Sequence, residues 1–523
     1  MSKLATGKYT DYKVAVMSDT EKKTSRHRKN KPTLYNLTTD NHTHARPAAP
    51  YKVSELFIEH GYESTVFNYM MYWDQEELLN TLEKYSEGKP LLCAFSLTFN
   101  NTSQYVELIT KLVAQIKERC PGSISIIGGV RDFYNIDLLK QCGDVIFKGR
   151  SLNLFMKSIH DKFFDTLIDT RFEPIVIEHP NDENLPDSPV VHKFYDHDIW
   201  ESTDVAMFET TIGCKFNCTF CNYDFRNMKN PIVSTVDSLA EFFESAKNKN
   251  ITHFFACDDT INETDVKINN IHTAVKEVGI EPTITAFTRQ DVIAGRPHQI
   301  ETLSEAGITN LVFGIESFNY NANKKVRKGV KGEKILDNLA LLKSINPNFH
   351  LQAHLIFGLS GDSKESIRKY IDISLEKKLL DCIAVIDLQF RHYGDMHGMW
   401  EFQSDLEKNP EKFGYKVTVP KDNQDNNFEF VWWENEWTNR DDIKVFNKEM
   451  INHIINTYGL TSQVTGWTYN CLKALGVVSN PVNAPSEYRE KVGFKLQHLL
   501  YNDPIDNAID NYIKKKIAYI YHG

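Results

Sequence analysis

The 523-residue chain has no second paired-cysteine motif, no long apolar run and no excess of positive charge. Its nine cysteines are odd in number and mostly stand alone, which excludes a disulfide framework and points to a reducing compartment. A formal charge of −10 excludes a general binder of nucleic acid or anionic membrane, although a local basic channel remains open. Nothing approaches the roughly 18 consecutive apolar residues of a membrane span, and the opening Met-Ser-Lys-Leu-Ala-Thr-Gly-Lys contains no apolar targeting core. The expectation is a cytoplasmic protein, neither exported nor inserted. Apolar and charged fractions are ordinary, no short-period repeat or low-complexity tract occurs, and the length predicts two to four domains.

Strand-like and helix-like stretches alternate. Lys13 to Met17 reads as a buried strand, followed by a polar, aperiodic stretch from Ser18 to Pro50 that reads as a long loop or lid. Helices are expected at 53–60, 75–86 and 103–119, and strands at 64–68, 90–96 and 123–128. Such alternation predicts a doubly wound parallel sheet, whose ligands sit beyond the C-terminal strand ends. Those ends are Ser96-Leu-Thr98-Phe-Asn100, Gly128-Gly129 and Gly149-Arg150-Ser151. A polar, proline-rich run between Glu178 and Trp200 marks a linker, after which the alternation resumes from Ala206 to Phe390. Beyond about residue 420 the pattern turns irregular and then helical, at 441–458, 485–501 and 505–518. The domain reading is 1–178 for the first α/β domain, 179–200 for the linker, 201–420 for the second and 421–523 for a mostly helical cap.

Chemistry concentrates in Cys214-Lys-Phe-Asn-Cys218-Thr-Phe-Cys221. Three thiolates at this spacing can hold three irons of a 4Fe-4S cube and leave the fourth iron open, where four cysteines would close it. A structural zinc knuckle is the alternative, but zinc sites close with four ligands and pair one C-x2-C with another pair. The next cysteine, Cys257, stands alone.

With Phe220 before the last cysteine, this motif resembles the radical SAM superfamily, whose signature is C-x3-C-x-aromatic-C. The resemblance implies a partial (β/α)6 barrel over the second domain, a 4Fe-4S cluster on Cys214, Cys218 and Cys221, and S-adenosylmethionine bound at the open iron. Further steps match at strand ends, where parallel barrels carry their reacting groups. Ala256-Cys-Asp258-Asp259 resembles the family's acidic step, and implies that Asp258 helps hold the SAM amino group; helix capping by either aspartate is the alternative. Arg289 is placed to pair with the SAM carboxylate, or else forms a surface ion pair. Gly314-Ile-Glu316-Ser317 resembles the G-x-E-S step that presents a carboxylate to the ribose, and Ala306-Gly307 and Lys328-Gly329 flank it as in relatives. Ile356-Phe357-Gly358-Leu359-Ser360-Gly361-Asp362 resembles the adenine-contacting step, in which relatives usually have proline at position 360.

Residues 50–160 are loosely similar to the cobalamin-binding domain of one large radical SAM subfamily, through Pro50-Tyr-Lys-Val-Ser-Glu-Leu, Ile127-Gly128-Gly129 and Asp144-Val-Ile-Phe-Lys-Gly149. Two departures stand against it: Gly149-Arg150-Ser151 replaces an acidic motif, and Asp40-Asn-His42-Thr-His44-Ala45 only loosely mimics the D-x-H-x-x-G of histidine-ligated cobalamin. The resemblance implies a SAM-cleaving transferase that moves a methyl group to an unactivated centre of a small molecule, supplied with electrons by a flavodoxin or ferredoxin. Cobalamin-independent epimerisation, rearrangement or oxidation remains open, as does a non-catalytic iron-sulfur sensor. Catalytic residues are not assigned. Trp400, Trp432, Trp433, Trp437 and Trp467 read as core or as pocket lining. His392, Tyr393, Asp395 and His397 read as structural or as substrate contacts.

Overall fold

The computed structural model describes residues 12–17, 45–67, 74–96, 103–129, 136–149, 151–158, 173–178, 188–198, 200, 204–223, 225–392, 404–418 and 429–458. The chain divides into two compact units, the second beginning, among these residues, at Asp204. No described helix is long and apolar enough to cross a membrane.

In the first unit, β1 (Lys13–Met17) is buried along its whole length. It pairs in parallel with β2 (Glu63–Phe67) on one side and β3 (Leu91–Ser96) on the other. Parallel pairing continues through β4 (Ile124–Gly128), β5 (Val145–Lys148) and β6 (Ile175–Glu178). The order β2-β1-β3-β4-β5-β6 is that of a doubly wound sheet with its switch point between β1 and β3. Helices α1 (Ala48–Glu59), α2 (Gln75–Ser86) and α3 (Ser103–Arg119) make the crossovers. α1 starts five residues before the expected Val53 and takes in Pro50. Proline is harmless there, because the first four N–H groups of a helix have no intrahelical partner.

Of the polar run before Trp200, residues 188–198 and Trp200 itself belong to this unit. His192 stacks on Tyr51, with ring centroids 4.9 Å apart, and Trp200 packs on the same tyrosine at 4.8 Å. The Arg46 guanidinium lies 4.3 Å from the Trp200 ring centre. Glu55 accepts a hydrogen bond from the Lys193 backbone at 2.7 Å, fixing the strap to α1.

In the second unit six parallel strands follow one another in sequence order: β7 (Val205–Phe208), β10 (His253–Ala256), β11 (Thr283–Thr288), β12 (Asn310–Glu316), β13 (His350–Phe357) and β14 (Cys382–Asp387). Helices α6 (Val236–Asn248), α7 (Asp265–Val278), α8 (Gln290–Gly295), α9 (Gln299–Glu305), α10 (Tyr320–Lys325), α11 (Gly332–Ile345) and α12 (Lys364–Glu376) intervene, completing strand–helix units with strands that are apolar on both faces. Residues from the loop after β7 and from the end of β14 line one cavity, so the sheet curls into a partial barrel. The expected first strand, 206–211, is broken in two. Thr210 turns toward Asp258, and β8 (Thr211–Ile212) pairs antiparallel with β9 (Ile232–Val233). Phe208, Phe242, Phe243 and Phe254 pack edge and face at 5.1–6.1 Å and pin α6 beneath the start of that loop.

The C-terminal region adds β16 (Lys416–Thr418) and β18 (Trp432–Glu434), which pair antiparallel, and a 19-residue helix, α14 (Arg440–Tyr458). The sequence reading missed the strands. Short strands with no partner nearby in sequence carry little periodic signal. The helices expected at 485–501 and 505–518 lie outside the described residues, as do Trp400 and Trp467.

Trp433 and Trp437 are structural. Their indole N–H groups donate to Leu388 O at 3.0 Å and Leu359 O at 2.9 Å. Gly358 has φ +102, and a Cβ there would meet the Trp433 ring at 2.5 Å. At the next turn Ser360 N donates to Tyr415 Oη at 2.7 Å, and Ser360 Oγ donates to the Glu436 carboxylate at 2.8 Å. Proline could make neither bond. The serine at a position where relatives carry proline thus matches a C-terminal hairpin that needs its N–H and its hydroxyl.

Two predictions follow from this packing. His192 is 2 % exposed, and burial pushes its imidazole down to about 4. An imidazole so depressed stabilises the fold fully above its unfolded value of about 6.5 and loses that contribution as pH falls through 4. Denaturation curves at pH 7.5 and 5 should show His192→Gln losing about 2 kcal/mol less than the parent across that interval. Ser360→Pro should destabilise the second unit by about 2–4 kcal/mol, the sum of one neutral and one charge-assisted hydrogen bond, read by chemical denaturation.

Candidate active site

Gly213, at φ +102, opens the cysteine loop, and any Cβ there would meet Met228 Sδ at 2.4 Å. The loop is then closed on itself by backbone bonds: Cys214 N to Phe225 O at 3.0 Å, Met228 N to Cys214 O at 2.9 Å and Asn227 N to Phe216 O at 3.0 Å. Cys221 N donates to Cys218 O at 3.1 Å, turning the chain so that both thiols serve one cavity.

Neighbouring elements hold this loop from three sides. Glu263, buried, accepts from Lys215 N at 3.0 Å while pairing with buried Lys267 at 2.8 Å, and Lys267 also donates to Thr260 O. Arg327 donates to Asn217 O at 2.9 Å and pairs with Asp405 at 2.7 Å. Leu406 N donates to Thr219 O at 2.8 Å. The last two contacts bring in a short helix, α13 (Asp405–Lys408), capped by Ser404 and Glu407 in a reciprocal capping box.

The cavity has a volume of about 400 Å³, within the range of small-molecule sites. Cys214, Cys218, Cys221 and Phe220 line it, with Asp259, Arg289, Gly314, Glu316, Lys328, His354 and Ile356 from the ends of successive strands. Among the described residues no three of His, Cys, Asp and Glu converge on a point that would hold one metal ion. The thiols are therefore not gathered as a mononuclear zinc site. A cubane cluster has no such requirement, because each iron takes its own thiolate, and three thiols on one roomy cavity fit it. Burial pushes the Cys221 thiol up to about 11 and raises Cys214. Loading with iron must therefore expel protons.

Most of the residues named from sequence meet in this cavity, and three do not. Asp258 is fully buried away from it, accepting from Thr210 N at 3.0 Å and Thr210 Oγ1 at 2.8 Å. Its neighbour Asp259 faces the cavity instead; burial, with Asp258 beside it, pushes that carboxyl up to about 6. Both aspartates lie just beyond the strand His253–Ala256, where the bonds of Asp258 to Thr210 turn it inward and leave Asp259 on the cavity. Gly358 and Leu359 support the loop against Trp433 and Trp437 and are absent from the lining. Of the histidine-rich run, His392 lies in a two-residue strand, Arg391–His392, and residues 393–397 fall outside the described set, as do residues 40–44 of the Asp40–Ala45 motif and Arg150.

Glu316 is the most strained of the site residues. The pairing of β12 with β13 slips between Gly314 and Glu316, and Glu316 adopts φ +64, a left-handed conformation for a residue with a Cβ. The bulge delivers its carboxylate to Lys328 Nζ at 2.8 Å, and Lys328 also donates to Gly314 O. A Cβ on Gly314 would meet Glu316 Oε1 at 2.5 Å, so glycine is needed for the pair to form. Sequence reasoning noted Lys328 only as a flanking residue and missed His354. His354 stands opposite Gly314 in the strand register, 2.6 Å from the Gln352 amide, and burial lowers its pKa so that the imidazole stays neutral. Its place at alternate positions with Gln352 and Ile356 along the strand is the signal that would have found it.

Residues 208–373 match the sequence profile of the Radical SAM superfamily. An uncharacterized methyltransferase of Pyrococcus horikoshii is 22 % identical over 264 residues, 50 % of this chain and 54 % of the relative, so the chain spans about half the length of that curated protein. The fold is similar to that of TsrM, a radical S-adenosylmethionine methyltransferase from Kitasatospora setae solved with cobalamin and a [4Fe-4S] cluster, with a TM-score of 0.60 at 12 % identity over 94 % of this chain and 99 % of that one. It is also similar to OxsB, a cobalamin-dependent S-adenosylmethionine radical enzyme solved with aqua-cobalamin and S-adenosylmethionine, with a TM-score of 0.52 at 14 % identity over 94 % and 73 %. Residues 208–373 thus carry a domain that matches the Radical SAM superfamily, and a doubly wound α/β unit precedes it in sequence.

Proposed function

We propose that the protein is a cobalamin-dependent radical SAM methyltransferase acting on a small molecule in the cytoplasm. The observation that carries the radical chemistry is the single cavity shared by Cys214, Cys218, Cys221 and the strand-end residues Asp259, Glu316 and Ile356. Cys214, Cys218 and Cys221 would hold a 4Fe-4S cluster, which when bound would supply the one-electron reduction that cleaves a SAM carbon–sulfur bond to methionine and a 5'-deoxyadenosyl radical.

The residues of this chain bind and orient. Glu316 is proposed to accept from the ribose hydroxyls; a carboxylate offers about four lone-pair sites and Lys328 engages one oxygen. Asp259 is proposed for the SAM ammonium in place of Asp258, and Ile356 for the adenine. Phe220 and Leu406 help to keep water from the cavity. Neutral His354 is able to take up a proton from a substrate bound there. Methyl transfer draws its support from the first unit, whose strand order places a switch point between the ends of β1 and β3, beside Gly128 and Gly129. The built Cβ of Gly128 finds only Phe95 O, at 4.0 Å, so this edge lets a flat ligand approach the backbone. A corrinoid is proposed there. A flavodoxin- or ferredoxin-type protein is the proposed electron donor.

Anaerobically purified protein should hold about four irons per chain on the three loop cysteines. Cys218→Ala should abolish 5'-deoxyadenosine formation, while Cys257→Ser, at a half-buried residue outside the cavity lining, should keep the iron. Full SAM cleavage by Cys218→Ala would overturn the assignment. Reconstitution with a corrinoid decides the methyl transfer: a stoichiometric bound corrinoid is expected, and SAM cleavage without one moves the reading to a cobalamin-independent epimerase, mutase or oxidase. Glu316→Ala should weaken SAM binding about ten- to a hundredfold with iron content unchanged, measured by titration. Unchanged affinity would place the ribose elsewhere.

A further inference from the structure

Arg289 follows the third barrel strand directly, where the resemblance expects a partner for the SAM carboxylate. Its surroundings assign it differently. The backbone is clamped by buried Asn262, which accepts from Arg289 N at 2.8 Å and donates to Arg289 O at 2.9 Å. The side chain is 5 % exposed. Nε and Nη2 donate to the two oxygens of Asp291, at 3.0 and 2.6 Å, in a forked ion pair. The guanidinium plane lies 3.8 Å from the centre of the Phe216 ring, inside the cysteine loop. Nη1 donates to Cys218 Sγ at 3.0 Å.

Three neighbours on three sides leave the fork no other rotamer that keeps these contacts. A guanidinium has five N–H donors, and the one aimed at Cys218 is held in place before any ligand arrives. Donors to the sulfurs of an iron–sulfur cluster are a principal determinant of its potential. Reduction adds negative charge to the cluster and its thiolates, so a cationic N–H on one of those sulfurs is worth more in the reduced state than in the oxidised one.

We infer that Arg289 is a positioning residue for the cluster: it donates to Cys218 Sγ, stabilises the reduced state and so eases the one-electron reduction that precedes SAM cleavage, instead of gripping the SAM carboxylate. Asp291 and Phe216 fix its direction, and Asn262 fixes its origin. This rests on the cluster assignment made above.

The test uses the full chain, reconstituted anaerobically as parent, Arg289→Gln and Arg289→Lys. Iron per chain is measured first, then each protein is titrated without SAM against titanium(III) citrate, with the reduced cluster read by electron paramagnetic resonance. Arg289→Gln should keep about four irons, and its reduction equilibrium constant should fall at least tenfold, which for one electron is a midpoint about 59 mV lower. SAM affinity of the same variant should stay within about threefold of the parent. An unchanged midpoint with SAM binding lost would overturn the inference and return Arg289 to the carboxylate. If Arg289→Gln does not hold iron, Arg289→Lys carries the test: it keeps the charge but not the fork, a lowered midpoint supports the inference, and a midpoint equal to the parent's overturns it. A parent that binds no cluster fails the assignment of the cysteines, a separate result.

Discussion

The site depends on one constraint: the cysteine loop has almost no secondary structure with which to satisfy its own backbone. Polar backbone groups that leave water without a partner carry a cost comparable to a lost hydrogen bond. Here they are met by groups imported from far along the chain. Glu263 takes Lys215 N, Arg327 takes Asn217 O and Leu406 N takes Thr219 O. Each of these partners is itself secured, by Lys267, by Asp405 and by the capping box at Ser404. A loop that must present three thiols to one cavity is thus held as rigidly as a strand would be, without the alternation of a strand, which would turn every second side chain away.

The same logic explains the buried charges. Lys328 and Glu316 are both less than a tenth exposed, and Arg289 and Asp291 pair beside them. Such pairs add little net stability, because desolvation offsets most of the attraction, but they define direction sharply. In the first unit a buried lysine lies at the N-terminal end of its strand. Lys13, at the start of β1, is shared between Glu63 and Glu87 at 2.9 Å each. There the charge closes the N-terminal edge of a sheet.

How far the sequence announced this structure depends on the reach of each interaction. Cys214, Cys218 and Cys221 were legible because their spacing is local. The doubly wound sheet was legible because alternation of apolar strands and amphipathic helices is a property of short windows, and β1, α2 and α3 fall where periodicity puts them, whereas the barrel was expected from the family resemblance. Asp258 and Asp259 mark the limit. A motif fixes the pair to a strand end, and only the local twist at Thr210 decides which carboxylate turns inward. Lys328 lies 12 residues beyond Glu316 and reaches it through a turn whose Arg327 has φ +63, a contact that no pattern in the sequence encodes. Ser360 departed from the expected proline for a reason visible only in the hairpin that supplies Tyr415 and Glu436.

The bond between Thr219 and Leu406 also sets an order in time. The residue that finishes the cysteine loop is made about 190 positions after the loop itself. At roughly 5–20 residues per second of synthesis, the thiols leave the ribosome roughly 10–40 s before the segment that closes over them. Until Leu406 has been made, Thr219 O lacks the backbone partner it has in the finished fold, so the loop reaches its final set of bonds only late in synthesis.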